Sequence, residues 1–358
     1  MKNKFIISVL SILSVLVLII GCAFLNFNNF HVTADQIEPT RIYVGINDGV
    51  EDGSQAAPYN TVGEALNVAQ DGDVIVLLNS VGSLPQTNKS ITFEGVNDDI
   101  HITNSGDNYL GGGSGSASIT YKNIICDNAR AIAPWGVSQV NVSYVFDNVS
   151  FSTLDGGTCV FLSDSSVKSI TIKNCEFNNI NNSAVWFMNT VGEFKIENSI
   201  INGAEGFLKV RYGDTSIITV NNNTFKDCEN VVLIEGNSTS DTEIHLTNNN
   251  IQDCENIITI KDSTSANLYV NNNEINNCEN MLNLQDCEMT ADDIVKTFTG
   301  NTYNGLQYTN INNYPIATNP NTEKDDFPII LVVSLIVGGL AIAITLISII
   351  IYRKKKTR

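Results

Sequence analysis

Short runs in which apolar and polar residues alternate recur along most of the chain. Val232 and Ile234 are separated by one residue, and so are Leu282 and Leu284 in a later run. Alternate side chains of a β-strand point to the same face, so each pair is predicted to face one side of a strand. None of the repeated segments contains a helical pattern of ten residues. The pattern therefore predicts an all-β protein built from short strands.

The runs belong to a longer repeat. The tetrad Asp/Asn-Cys-Glu-Asn occupies residues 227–230, 253–256 and 277–280, at steps of 26 and 24 residues. One asparagine slot extends the same register backwards, at steps of 25, 26, 24, 24, 26 and 24 residues, through Asn123, Asn148, Asn174, Asn198, Asn222, Asn248 and Asn272. Short strands, small polar corners and this period predict a right-handed parallel β-helix, with each repeat forming one coil stacked ~4.8 Å above the last.

The recurring asparagine has a physical explanation in such a fold. Asparagine adopts the left-handed backbone of a tight corner more readily than most residues. Identical side-chain amides one strand apart also hydrogen-bond to one another. We therefore predict that the seven asparagines of this slot form a ladder along one corner of the coils.

The segment before the repeats contains a strand, several turns and one short helix. Arg41–Gly45 is the predicted strand, Thr61 to Ala69 is amphipathic, and a Gly-Asp corner opens the next strand at Gly72–Leu77. This order resembles the opening of pectate-lyase-like right-handed β-helix proteins, and the resemblance extends over residues 41–304. It implies that the helix caps the N-terminal end of the stack, where an uncovered edge would aggregate. It implies no specific activity.

The N-terminus has the features of an export signal. Lys2 and Lys4 precede the apolar stretch Phe5–Leu25, and small residues before Ala34 predict cleavage there, with residues 1–34 removed. Two alternatives stay open. The sequence Ile19-Ile20-Gly21-Cys22 resembles a bacterial lipobox, which would place a lipid on Cys22, and the apolar stretch is also long enough to remain as an anchor.

The C-terminus predicts a single membrane span. Residues 327–352 carry no charge and are long enough to cross the bilayer, and the basic tail 353–358 is predicted to stay cytoplasmic. The predicted order is an extracellular ectodomain (35–306), a stalk (307–326), the span and the tail. Within the stalk, Asn319-Pro320-Asn321-Thr322 resembles the sorting signals that sortases cut for cell-wall attachment, although Glu323 departs from that pattern.

The charge distribution excludes nucleic acid as a partner. All 38 acidic residues but only 13 of the 20 basic ones lie between Asp35 and Asp326, which gives this body a net charge of −25. A strongly negative surface repels phosphate polymers. The predicted partners are the membrane, through the single span, and an extracellular glycan or protein.

Seven of the eight cysteines follow Ala34, and three of them occupy equivalent slots. Cys228, Cys254 and Cys278 are predicted to stack inside the coils, ~5 Å apart and within disulfide range. Three thiols in one column cannot all pair, so an unpaired stack is predicted, with one disulfide or a bound metal as the alternatives. No zinc-binding spacing occurs.

One group of charged residues is a weak candidate for catalysis. Arg211, Glu235 and Lys261 share a slot in successive repeats. Because β-helix lyases abstract a proton with a basic residue beside carboxylates, the catalytic candidates are Lys209, Arg211, Glu235 and Asp214. A row of surface ion pairs is the alternative explanation. The Arg-x-Pro-x-x-Arg motif of pectate lyases is absent.

Two tryptophans and three aspartates are the other candidates for ligand contacts. Trp186 aligns with Val210 in the repeat and is predicted to point inward, whereas Trp135, between Pro134 and Gly136, is predicted to lie in an exposed loop. The carboxylates of Asp48, Asp52 and Asp73 are interpreted as turn residues, with a calcium site as the alternative. No other cofactor is indicated.

Two functions from different classes fit these patterns. The repeats between residues 168 and 288 differ by only two residues in length, whereas active sites in such folds often interrupt the coils with long loops. A non-enzymatic, adhesin-like surface module that binds a glycan or protein is therefore the main prediction. The alternative is a surface-tethered polysaccharide lyase or glycoside hydrolase, since one fold hosts many functions.

Overall fold

A computed structural model describes residues 38–318, apart from 104–109, 111–112, 128–140, 153–157, 163–166, 189–190, 212–216, 237–241, 264–265 and 315. The predicted leader with Cys22 and Ala34, the sequence Asn319–Thr322, and the predicted span and tail lie outside the described residues. Among the residues that are described, no helix is long and apolar enough to cross a membrane.

The described residues form 24 strands, most of them between three and seven residues long. The first twelve are β1 (Arg41–Val44), β2 (Val74–Leu77), β3 (Ile91–Gly95), β4 (His101–Ile102), β5 (Ser118–Asp127), β6 (Ser143–Ser152), β7 (Val160–Leu162), β8 (Val167–Lys173), β9 (Glu176–Phe187), β10 (Val191–Glu197), β11 (Ile200–Arg211) and β12 (Ile217–Asn221). The others are β13 (Thr224–Lys226), β14 (Asn230–Glu235), β15 (Glu243–Thr247), β16 (Asn250–Gln252), β17 (Asn256–Lys261), β18 (Asn267–Asn271), β19 (Glu274–Asn276), β20 (Asn280–Gln285), β21 (Val295–Thr299), β22 (Asn301–Tyr303), β23 (Leu306–Tyr308) and β24 (Ile316–Thr318).

Most of these strands stack into three parallel sheets, and from β6 onward each coil contributes one strand or strand segment to each sheet. Sheet A runs from β1 through β2, β3, the first halves of β5 and β6, β8, β10, β12, β15 and β18 to β21. Sheet B runs from β4 through the second halves of β5 and β6, the first parts of β9 and β11, β13, β16 and β19 to β22. Sheet C contains β7, the second parts of β9 and β11, β14, β17, β20 and β24. The chain is therefore a parallel β-helix, as the repeat predicts.

The corner between sheets A and B is made by the predicted asparagine slot. All seven members have a left-handed backbone, with φ between 53° and 58°. In the last coil the slot is filled by Gly300, whose φ is 69°. Glycine and asparagine are the residues that adopt this conformation at least cost, which explains why the slot contains only these two types from Asn123 onward.

The interior of the coils is filled by stacked apolar side chains. Strand residues alternate between buried and partly exposed, as in β15 and β18. Aromatic rings continue from coil to coil; Phe151 and Phe177 stack with their centroids 4.7 Å apart, and Phe207 lies 5.4 Å from Phe225. Burial of this continuous core is the main stabilising contribution in a solenoid, where each coil contacts only its neighbours.

A short helix, α1 (Val62–Val68), lies between β1 and β2. Thr61 is its N-cap, and Thr61 and Glu64 form a capping box that satisfies two backbone N–H groups at the helix start. At the other end, Lys89 Nζ donates to the carbonyl oxygens of Leu66 and Ala69, each at 2.6 Å. The helix is two residues shorter than the predicted segment and packs Val62 and Leu66 into the core.

The strands continue beyond Gln307, where the stalk is predicted to begin. A second short helix, α2 (Ala291–Ile294), precedes β21, and β23 forms an antiparallel hairpin with β22. After this hairpin, β24 pairs in parallel with β20 of sheet C. The last coil that the structure describes therefore ends with β24, which extends to Thr318.

Candidate functional site

The outer face of sheet C carries a groove of about 290 Å³. It crosses the coils that contain β9, β11, β14, β17 and β20 and is mostly polar. Its lining consists of Asn182, Ser183, Glu205, Gly206, Lys209, Glu229, Asn230, Leu233, Glu235, Glu255, Asn256, Thr259, Lys261, Asn283 and Gln285. Two of the predicted catalytic candidates, Lys209 and Glu235, are among these residues.

One wall of the groove is a cluster of cations around a single carboxylate. Parallel pairing places Arg211 beside Glu235 and Glu235 beside Lys261, as the repeat predicts. Glu235 lies 3.1 Å from Lys209 Nζ, 3.7 Å from Arg211 Nε and 3.9 Å from Lys261 Nζ. Burial would raise the pKa of Glu235, but the hydrogen bond from Lys209 and the three positive charges outweigh it, so this pKa lies below its usual value. The fourth candidate, Asp214, lies outside the described residues.

Trp186 lies next to this cluster, on the outer face of sheet C. The prediction that it points inward is wrong, because Trp186 pairs with Lys209 and not with Val210. Lys209 Nζ lies 5.2 Å from the centre of the Trp186 ring, a cation–π contact that holds the amine beside the groove. The coil of β9 has one extra residue between Ile180 and Ser183, which shifts the pairing by one position. Trp135 lies outside the described residues.

The opposite wall is a row of glutamates at the corner between sheets B and C. Glu205, Glu229 and Glu255 follow one another on successive coils, joined by backbone hydrogen bonds at this corner. Burial raises the pKa of Glu229, and the charges of Glu255 and Glu205 raise it further. This row was not among the predicted site residues, although the Cys-Glu-Asn part of the repeated tetrad contains two of its members.

Buried amides form the floor beside the glutamates. Asn230 Nδ2 donates to Glu229 Oε1 at 3.3 Å, and one coil further on Asn256 Nδ2 donates to Glu255 Oε1 at 3.2 Å. Thr259 Oγ1 donates to Asn230 Oδ1 at 2.6 Å. Asn230 and Asn256 are only 7% and 3% exposed, so their hydrogen bonds fix the carboxylates in place. The groove therefore presents a preorganised array of acceptors and cations that suits hydroxyl-rich ligands.

The family model of the right-handed β-helix region matches residues 124–319, which is more than half of the chain. The chain belongs to the right-handed β-helix family. No curated protein and no solved structure matches it. The match covers all the coils that line the groove, and it agrees with the parallel coils of the fold. Membership in this family does not specify a function, since one fold hosts many functions.

The hydrogen-bonded asparagine ladder of this β-helix lies one residue after the predicted slot. Side-chain amides of the predicted slot join directly at two steps, Asn148 to Asn123 and Asn222 to Asn198, and from Asn148 onward they are exposed. The continuous ladder is buried and contains Asn223, Asn249, Asn273 and Asn301. Its Nδ2-to-Oδ1 distances are 3.1, 2.9 and 2.9 Å. The left-handed residue turns the chain, so the next side chain points inward.

The predicted cysteine column lies inside the β-helix, at the corner between sheets B and C. Cys228, Cys254 and Cys278 are each 2–3% exposed. Neighbouring thiols are in hydrogen-bond contact, and the contact with Cys228 is the main cause that raises the pKa of Cys254 to about 12. The seven cysteines within the described part of the chain are all free thiols. The column therefore packs as small apolar groups within the core.

Asp73 and Asp52, for which a calcium site is the alternative interpretation, accept hydrogen bonds from backbone N–H groups. Asp73 accepts hydrogen bonds from the backbone N–H groups of Thr40 and Gln70, at 3.1 and 2.7 Å. Asp52 accepts one from Ser54 N at 2.8 Å, while Asp48 is exposed. Across the residues that the structure describes, no group of three or more His, Cys, Asp or Glu side chains is placed to hold a metal ion.

Proposed function

We propose that this right-handed β-helix is a non-enzymatic surface module that binds a glycan in the groove of sheet C. The observation that carries the proposal is the groove itself, an open, polar channel with fixed carboxylates, amides and cations along regular coils. Sugar hydroxyls donate to carboxylates and accept from cations, so such walls match a glycan surface.

The contacts that the basic residues make within the protein support a binding function rather than a catalytic one. A lyase needs a basic side chain that is free to remove a proton from the substrate. Lys209, the best-placed candidate, forms an ion pair with the Glu235 carboxylate and lies over the Trp186 ring. Arg211 lies 3.7 Å from the same carboxylate. A binding role needs no such free base.

The alternative function is a polysaccharide lyase, which the position of Lys209 within the groove favours. We expect the purified full-length chain to bind glycans saturably and to release no 4,5-unsaturated sugars from acidic polysaccharides, measured by ultraviolet absorbance. The matched variants are Lys209→Ala and, on the outer face of sheet A, Lys195→Ala. Release of unsaturated sugar that is abolished by Lys209→Ala but not by Lys195→Ala would establish the lyase instead. Saturable binding to a protein and to no glycan would also contradict the proposal.

We further propose that the β-helix is displayed outside the cell, after removal of residues 1–34, by the apolar segment 327–352. The proposal is supported by the charge-free length of this segment and the basic tail behind it. Protease treatment of intact cells is expected to remove the β-helix, as detected by an antibody against it. Complete protection of the β-helix in intact cells, with digestion after lysis, would contradict this placement.

Helix α1 is proposed to cap the N-terminal end of the stack. Its side chains Val62 and Leu66 belong to the continuous core, and β1 is the first strand of sheet A among the described residues. A solenoid needs a polar cover over its terminal coil, and a short amphipathic helix supplies one.

A further inference from the structure

We infer that the groove holds a linear, uncharged glycan that lies parallel to the helix axis, with one sugar ring on each coil. This inference rests on the proposed function and specifies the class of ligand. It follows from the periodicity of the groove, the signs of its two walls and its length.

The glutamate side of the groove presents the same chemical groups on successive coils. Register pairing places Gly206, Asn230, Asn256 and Asn280 in one column, whereas the next column changes from Lys209 through Leu233 and Thr259 to Asn283. The amide-to-carboxylate hydrogen bond of Asn230 and Glu229 is repeated one coil later by Asn256 and Glu255. A ligand that runs along the axis therefore meets the same glutamate–amide pair again after a step of ~4.8 Å, whereas one that crosses the coils does not.

This repeat distance selects an extended chain of sugars. In an extended β-1,4-linked chain, successive pyranose rings are separated by nearly the same distance as neighbouring strands. A peptide in an extended conformation advances only ~3.3 Å per residue and does not keep this register. The regular match between ligand and protein therefore favours a linear glycan over a peptide.

The opposite charges of the two walls favour an uncharged chain. The lining contains four glutamates and two lysines, and the lysines already contact Glu235. A uronic acid chain would place a carboxylate on every ring beside the row of Glu205, Glu229 and Glu255, where burial and like charge already raise the pKa of Glu229. Neutral hydroxyl groups donate to that row and accept from Lys209 on the other side.

The extent of the groove sets the length of chain that it holds. The lining begins on the coil of Ser183 and ends on the coil of Asn283, which are four strand steps apart. Four steps of ~4.8 Å span about 19 Å. Five rings would therefore fill the groove, one on each of five coils.

The test is calorimetric titration of the full-length chain with β-1,4-linked glucose and N-acetylglucosamine oligomers of one to seven rings. We expect the affinity to rise by about two- to tenfold with each ring, which is the range of one net hydrogen bond, and to level off at five rings. Oligomers of α-1,4-linked galacturonic acid are expected to bind more weakly than uncharged oligomers of equal length. Glu255→Gln is expected to reduce the difference in affinity between the charged and the uncharged oligomers, because it removes one negative charge from the glutamate row.

A variant that blocks one end of the groove tests whether one sugar ring lies on each coil. Asn283→Arg fills the last coil of the groove and is expected to move the plateau from five rings to four, while Asn276→Arg, on sheet B of the same coil, leaves it at five. Affinity that is independent of oligomer length, or stronger for the uronic acid chain, would overturn this inference and leave the proposed function standing. Cleavage of bound oligomers would overturn the proposed function alone. Failure of every glycan to bind would overturn both.

Discussion

Asn249→Ala is expected to lower the free energy of unfolding by about 3–5 kcal/mol, because two or more buried polar groups lose their partners at about 1–3 kcal/mol each. Asn249 Oδ1 accepts from Asn223 N at 2.9 Å and from Asn223 Nδ2 at 3.1 Å. Its own Nδ2 donates to Val220 O and to Asn273 Oδ1, both at 2.9 Å. Asn249 is 1% exposed, so water cannot replace these partners without opening the coil.

The matched control is Asn248→Gly, one residue earlier. Asn248 has φ +58°, which glycine adopts without strain, and its exposed Nδ2 makes one side-chain hydrogen bond, to Asn221 Oδ1. This variant is expected to lose less than about 1 kcal/mol. Urea unfolding of both variants, followed by circular dichroism, makes the comparison. Equal losses at the two positions would show that the buried ladder contributes no more than the exposed corner.

The ladder also illustrates how far the sequence alone can place side chains. The apolar residues that flank the asparagine slot lie two positions before it and three after it, as Val220 and Phe225 do around Asn222. Val220 and Phe225 are both buried, although they are five positions apart. In an unbroken strand, residues an odd number of positions apart point to opposite faces, so the strand must be interrupted between these two. The left-handed residue is that break. Counting back by two from Phe225 gives Asn223, which is the inward position.

Trp186 could not be placed by repeat spacing, since one extra residue reverses every side chain of a strand. The sequence around the extra residue is Asn181-Asn182-Ser183, which is polar throughout and gives no sign of where the register shifts. The register shift is visible only in the pairing of β9 with β11. Repeat periodicity thus predicts which residues share a column only while the coils keep the same length.

The groove was harder to predict than the fold, because it depends on side chains that are far apart in the sequence. The shared slot of Arg211, Glu235 and Lys261 follows from the period alone. The convergence of Lys209 on Glu235 depends on the length and direction of one lysine side chain, and the row of glutamates depends on the corner geometry. The spacing of residues in the repeat determines neither the contact between Lys209 and Glu235 nor the position of the glutamate row.

Leu233→Arg is expected to weaken glycan binding by about tenfold or more, which corresponds to at least 1.4 kcal/mol. Leu233 is half-buried in the groove, in the column of Lys209 and Thr259, so a long side chain at this position fills the channel. The matched control is Thr219→Arg, which puts the same charge on the outer face of sheet A, on strand β12 of the same coil. Both positions are partly exposed, so both variants are expected to fold.

Binding of full-length Leu233→Arg and Thr219→Arg to a glycan array, beside the unchanged chain, is the most direct test that sheet C carries the ligand. The groove account predicts that Thr219→Arg retains the binding profile of the unchanged chain and that Leu233→Arg loses it. Circular dichroism of each variant verifies that the coils are intact. Retained binding by folded Leu233→Arg, or equal loss in both variants, would contradict the account.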